Sequence, residues 1–144
     1  MEVDFNGVKI ALFANNKLII IQRDDKPGLR FAGMWDLPGG ARDDNESPVE
    51  CVTREVKEEL GIDLSPESIV WQKTYPSMHD PGKTAFFMAA NVTPKQVSSI
   101  VFGDEGQGWK LITIEDLFAE QNFVAPLKDR LQDYLDSVSS GNKA

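Results

Sequence analysis

Three carboxylates fall within five residues in the run Arg54-Glu55-Val56-Lys57-Glu58-Glu59. On a helix, positions i, i+3 and i+4 share one side, so Glu55, Glu58 and Glu59 would stand together. Like charges at that spacing repel, and a helix selected for stability alone would not carry them. A hard divalent cation, which takes oxygen ligands, is the partner that offsets such repulsion. The competing reading is a solvated helix face with i,i+4 pairs such as Arg54 with Glu58, each worth only about 0.2–0.5 kcal/mol.

The segment around these residues carries clear helix punctuation. Ser47 is a good N-cap, Pro48 suits the first helical position, and Glu50 completes a Ser-x-x-Glu capping box. Gly61 stands where a left-handed C′ residue is wanted. Val49, Val52, Val56 and Leu60 form an apolar stripe, and the glutamate face lies beside that stripe rather than opposite it. The carboxylates are therefore expected at the edge of the core, lining a cleft.

Elements on either side must hold this helix. Residues 8–14 and 17–23 read as two strands joined by Asn15-Asn16, a pair that tolerates positive φ, which predicts a tight hairpin. Residues 24–33 read as a loop and Trp35-Asp36-Leu37 as a short strand. Pro38-Gly39-Gly40 follows as a sharp break where backbone can approach a ligand. Strands are expected at 69–75, 84–92 and 109–112, with a short helix starting at Thr113. Leu127, Leu131, Leu135 and Val138 recur at helical spacing and predict a terminal amphipathic helix over 126–138, with 139–144 a frayed tail. Residues 24–33, 76–83 and 93–104 are the loops expected to set specificity. The order of elements predicts an α/β fold, a mixed β-sheet covered by helices, in one domain spanning 1–144.

From Gly40 to Ile62 the chain resembles the Nudix box, G-x5-E-x7-R-E-U-x-E-E-x-G-U, where U is a bulky aliphatic residue. Gly40, Glu46, Arg54, Glu55, Val56, Glu58, Glu59, Gly61 and Ile62 fill every specified position. The resemblance implies the Nudix fold, an α/β/α sandwich, and Mg²⁺- or Mn²⁺-dependent hydrolysis of a nucleoside diphosphate linked to another group. It assigns Glu55, Glu58 and Glu59 to the divalent ions, with Glu55 also orienting or deprotonating the attacking water. By the same resemblance Arg54 steadies a catalytic glutamate, Glu46 supports the loop–helix junction, and a backbone carbonyl near Gly39 or Gly40 is a further ligand. Gly103-Asp104-Glu105-Gly106-Gln107 is similar to the loop that supplies another metal-binding glutamate in the MutT-like subgroup, which hydrolyses oxidised nucleoside triphosphates; a solvated loop carboxylate is the competing reading of Glu105. Arg23 and Asn122 match positions where that subgroup contacts phosphate and base, and both also suit ordinary surface and cap roles.

Among the aromatic residues, Trp35 has the best claim to stack on a base, against the ordinary expectation that Trp35, Trp71 and Trp109 pack in the core. His79 reads as a surface loop residue, and Cys51 as a packed small residue projecting near the glutamates.

Composition bounds these readings. The 144 residues carry 15 Lys and Arg against 23 Asp and Glu, a formal charge of −8. A net acidic chain is a poor partner for a nucleic-acid backbone or an anionic membrane, yet it can take a small phosphate compound once metal ions neutralise the carboxylates. One cysteine forbids an intramolecular disulfide, no apolar run is long enough to span a membrane, and the first residues lack a basic leader; together these favour the cytoplasm. The partner expected is a small-molecule nucleotide, and since many members of the family dimerise, the resemblance leaves room for a homodimer. The leading expectation is a triphosphate pyrophosphohydrolase releasing monophosphate and pyrophosphate. An ADP-ribose or nucleotide-sugar pyrophosphatase is the alternative, since Tyr75-Pro76-Ser77 resembles the proline-marked loop of that subgroup. A non-catalytic nucleotide sensor is the third, disfavoured because every box carboxylate is present.

Overall fold

The computed structural model describes residues 4–141. Strands β1 (Gly7–Ala14) and β2 (Lys17–Gln22) form the expected hairpin, with Ala14 opposite Lys17 and Asn15 in the left-handed region at φ 59°. The other strands are β3 (Trp35–Asp36), β4 (Gly39–Ala41), β5 (Ile69–Pro76), β6 (Thr84–Asn91) and β7 (Gly108–Thr113). They join one mixed sheet in which β3-β2-β1-β6-β5 run side by side, β4 also pairs with β1 and β7 with β2. The β1–β6 pair is parallel, from Gly7 opposite Ala85 to Phe13 opposite Asn91; the other named pairs are antiparallel.

Strands β1 and β2 are buried on both faces, which explains their nearly unbroken apolar runs. Ile10, Leu12, Ile19, Phe86 and Met88 face one core with Val52, Val56 and Leu60 of α1 (Pro48–Leu60). Alternate residues, Ala11, Phe13, Leu18, Ile20 and Phe87, face a second core. That core is closed by Leu117 of α3 (Ile114–Ala119) and by Leu127 and Leu131 of α4 (Ala125–Gly141). The result is an α/β/α sandwich with the sheet between α1 and the α3–α4 pair.

Some expectations change. The break at Pro38-Gly39-Gly40 continues into a strand, because Gly39 and Gly40 pair with Lys9 and Val8. The stretch 93–104 is not all loop, since α2 (Pro94–Ser98) forms there with Thr93 as N-cap and a complete capping box to Gln96. Its Thr-Pro-x-Gln start was available to read, but five residues are too few to show apolar periodicity. Helix α4 extends past Ser139 to Gly141, into the stretch read as a tail, and 142–144 lie outside the described residues. Val138 is 41% exposed and adds nothing to the buried stripe that Leu127 and Leu131 make.

Gly39 accounts for the tight approach of β4. Its φ is 138°, and a Cβ there would lie 2.2 Å from the Val8 carbonyl oxygen. Gly39→Ala is expected to cost about 3 kcal/mol through backbone strain and overpacking. Denaturant unfolding at neutral pH checks this; a midpoint equal to wild type would mean that β4 yields without cost.

Candidate active site

Helix α1 is set as its sequence suggests. Ser47 Oγ accepts from Glu50 N–H at 3.1 Å and Glu50 Oε1 accepts from Ser47 N–H at 2.8 Å. Gly61, at φ 70°, donates its N–H to Lys57 O at 2.9 Å. The buried residues are Cys51, Val52, Val56 and Leu60. Cys51 takes the place expected of Val49, so the buried face is turned slightly toward the glutamates. Cys51, Glu55 and Glu59 then form one i,i+4 row beside the Val52–Val56–Leu60 row, and Arg54 and Glu58 lie one row further out. This rotation grades the carboxylates: the Glu55 side chain is 15% exposed and that of Glu58 58%.

Arg54 gathers the acidic residues. Its Nε and Nη2 donate to the two carboxylate oxygens of Glu46 at 2.6 and 2.9 Å, the forked geometry in which charge-assisted bonds are strongest. Nη1 donates to Glu55 Oε1 at 2.9 Å and to Glu58 Oε2 at 3.2 Å, while Nη2 also reaches the Ala41 carbonyl at 3.0 Å. Glu59 is held separately, its Oε1 accepting from Gly39 N–H at 2.8 Å. A Cβ on Gly40 would lie 2.6 Å from the Glu55 carboxylate, so only glycine leaves that group its position.

Electrostatics differ along the row. The Arg54 fork holds the Glu46 carboxyl down at about 2. Burial pushes Glu59 up to about 8 against the opposing pull of Lys9 and the Gly39 N–H, and burial likewise raises Glu55 against Arg54. Removal from water therefore outweighs like-charge repulsion as the reason these two carboxyls resist ionisation. Cys51 is fully buried, its Sγ 3.7 Å from Ala41 O, and burial pushes its thiol to about 12, which makes it a packing residue.

The depressed Glu46 pKa implies a stability window. Its folded value lies below the ordinary 4.5, so the stabilisation is present above pH 4.5 and is lost as pH falls from there toward 2. The wild type should unfold at higher urea than Glu46→Gln at pH 6, with the gap closing across that interval. A gap that stays constant to pH 2.5 would refute the assignment.

A cleft of about 440 Å³ opens at this end of the sheet, and Glu55, Glu59, Glu105, Gly39, Gly40 and Arg23 all line it. Glu105 is brought there by the segment after α2: Val101 N–H donates to Leu60 O at 3.0 Å and Gly103 N–H to Glu59 O at 2.9 Å. Gly103 allows the approach, because a Cβ on it would lie 2.3 Å from Glu58 O. Arg23 donates through Nη1 to Asp36 Oδ2 at 3.1 Å and through Nε to Arg30 O at 3.0 Å.

Glu46 and Glu58 stand beside the cleft, joined to it through Arg54. Trp35 and Asn122 are brought to each other instead: Trp35 N–H donates to Asn122 O at 2.9 Å and Asn122 Nδ2 to Gly33 O at 3.1 Å. The Lys110 ammonium lies 4.3 Å from the Trp35 ring centroid, and neither Trp35 nor Asn122 lines the cleft.

Sequence reasoning missed the opposite wall. Lys9 donates to Asp36 Oδ2 at 2.9 Å and to Leu37 O at 3.2 Å, and buried Asp36 thus serves both Lys9 and Arg23. Ser77, His79 and Arg130 complete that wall. His79, beside Phe31, is held below its ordinary pKa by partial burial and by the nearby cations Arg30, Lys9 and Arg23, so it stays neutral near pH 7. No local motif marks these positions. Only the alternation that turns Lys9 to the same side of β1 as Ala11 and Phe13 could have pointed to it.

The donor set is all oxygen: Glu55, Glu59 and Glu105 carboxylates with Gly40 backbone beside them. Among the described residues no three His, Cys, Asp or Glu side chains converge into a ready-made metal cage. Arg54 and the Gly39 N–H hold the glutamates in place instead. Such a set suits an ion that keeps several waters and completes its shell with substrate oxygens, as Mg²⁺ does, and not one that requires an enclosing site.

The chain is thus an α/β/α sandwich with an arginine-braced acidic helix at its cleft. The NUDIX domain family profile matches residues 5–134, and the chain belongs to that family. Over 51 residues it is 41% identical to an 8-oxo-dGTP diphosphatase of Proteus vulgaris, covering 35% of this chain and 44% of that protein. Over 48 residues it is 42% identical to an ADP-ribose pyrophosphatase of Methanocaldococcus jannaschii, covering 33% of this chain and 27% of that protein. The chain thus spans less than half the length of these curated relatives. The crystal structure of a MutT protein from Methanosarcina mazei superposes with a TM-score of 0.70 at 22% identity, over 100% of this chain and 99% of that one. Among the described residues no helix is long and apolar enough to cross a membrane.

Proposed function

We propose that the protein is a divalent-metal-dependent pyrophosphohydrolase that cleaves a nucleoside triphosphate, oxidised ones included, to monophosphate and pyrophosphate. The observation that carries this reading is the Arg54 hub, which sets Glu55 at the edge of the cleft shared with Glu59 and Glu105. The similarity to an 8-oxo-dGTP diphosphatase supports the substrate class.

In this reading Glu55, Glu58, Glu59, Glu105 and the Gly40 carbonyl hold Mg²⁺ or Mn²⁺. When bound, the ion polarises phosphoryl oxygens and acidifies water. The protein supplies position and proton handling. Glu55, desolvated and oriented by Arg54 Nη1, accepts the proton of the attacking water; Glu46 fixes the Arg54 plane from behind. Lys9 and Arg23 lend positive potential to the phosphate chain from across the cleft. The acidic charge and the single cysteine support a cytoplasmic, nucleotide-directed role without nucleic-acid or membrane partners, in one domain over 1–144 that can pair as a homodimer.

The second reading is an ADP-ribose or nucleotide-sugar pyrophosphatase. It is favoured by the similarity to the Methanocaldococcus protein and by Ser77, which brings the proline-marked loop to the cleft wall. Comparing kcat/KM for a panel of (d)NTPs with 8-oxo-dGTP and for ADP-ribose, with Mg²⁺ and with EDTA, decides between them. A preference of several orders of magnitude for ADP-ribose would replace the first reading by the second. Binding without turnover of any nucleotide would favour a sensor.

A further inference from the structure

Three side chains lining the cleft are arginine or lysine, namely Lys9, Arg23 and Arg130. The first two share the Asp36 carboxylate. Arg130, on α4, is only 6% exposed, yet among the described residues it pairs with no carboxylate. Among the described residues its side chain makes one hydrogen bond, from Nη2 to Pro76 O at 2.8 Å. The guanidinium carbon sits 4.7 Å from the Tyr75 ring centroid. Asp133, one turn along, is engaged by the Tyr75 hydroxyl at 2.8 Å and by Lys73 at 3.5 Å. Buried charges are ordinarily paired, because removing an ion from water is costly. The remaining N–H groups of Arg130 are not sealed in, since no buried side-chain nitrogen among the described residues lacks a partner. Open space next to this residue is the cleft.

Arg130 and Glu55 come from opposite layers of the sandwich, so the cleft has a cationic end on the α4 side and an acidic end on the α1 side. Gly7 and Ala85, neighbours across the parallel β1–β6 pair, line the cleft with them and leave room between the two ends. We propose that Arg130 is a substrate-binding residue that receives a phosphate group of the nucleotide at the end of the cleft away from the α1 glutamates. Tyr75 and Pro76 O hold the guanidinium plane, and its free N–H groups match two phosphate oxygens. The substrate thus supplies the counter-ion that the fold omits. This rests on the reading of the cleft as a nucleotide site.

The test is the kinetics of Arg130→Met and Arg130→Lys on the best nucleotide substrate with Mg²⁺. The expected result for the Met variant is a KM raised tenfold or more with kcat changed less than threefold, since the contact is made equally in ground and transition states. The Lys variant, which keeps the charge and can reach Pro76 O, should raise KM at least threefold. Wild-type KM in the Met variant would assign Arg130 to anchoring α4 on β5 and overturn the proposal. If the Met variant does not fold, wild-type KM in the Lys variant overturns it equally. Should the wild type hydrolyse no nucleotide, the pyrophosphohydrolase reading fails by itself. Calorimetric binding of inorganic pyrophosphate then carries the test: tenfold weaker binding by either variant sustains the proposal, and unchanged binding overturns it.

Discussion

Glu55→Gln is expected to lower Mg²⁺-dependent nucleotide hydrolysis by at least about 100-fold, the scale of removing an acid–base group, while the fold persists. The amide keeps an acceptor for Arg54 Nη1, now 2.9 Å from Glu55 Oε1, and needs no more room than the carboxylate beside Gly40. Burial already disfavours the charged form of Glu55, so a neutral isostere relieves a desolvation cost instead of adding one. The melting temperature should therefore stay within a few degrees of wild type, or rise. Steady-state turnover with circular-dichroism melting measures both. Unchanged turnover would place water activation elsewhere, with Glu105 the next candidate.

Arg54→Met should affect both activity and stability. The guanidinium serves Glu46, Glu55, Glu58 and the Ala41 carbonyl at once. Removing it leaves Glu46 and Glu55 without their partner, at a cost of about 2 kcal/mol. Turnover should fall by a factor similar to that for Glu55→Gln, because the base loses its orientation. Arg54→Lys should rescue little: an ammonium can sit near one carboxylate but cannot reproduce the fork to Glu46 while reaching Glu55. Melting and kinetics of both variants check this, and full rescue by lysine would show that charge alone matters there.

Helix α1 was legible because all its determinants are local. Ser47, Pro48, Glu50 and Gly61 mark its ends, and the apolar row beside the glutamates predicted a cleft edge. The β1–β2 hairpin was legible for similar reasons. The far wall was not. Lys9, Ser77 and Arg130 meet because β1 and β6 run parallel and α4 crosses the opposite face, a pairing between segments more than 70 residues apart that leaves no local signature. The same non-locality explains Trp35 and Asn122. Their sequence context suggested a ligand, whereas Trp35 N–H donates to Asn122 O, Asn122 Nδ2 to Gly33 O, and neither side chain lines the cleft. The repulsion argument for the glutamates was incomplete: burial is the larger cause for Glu55 and Glu59, and Arg54, one position before Glu55 and four before Glu58, pairs with both.

The bonds from Val101 to Leu60 and from Gly103 to Glu59 tie the Glu105 loop to the final turn of α1. Any excursion that frays that turn must also release the loop, so the two segments should open as one cooperative unit. In native-state hydrogen exchange the Val101 and Gly103 amides would then report the same opening free energy as Gly61, whose own N–H closes the helix on Lys57 O. Glu59 and Glu105 would in that case leave and rejoin the cleft together, making assembly of the acidic wall an all-or-none event.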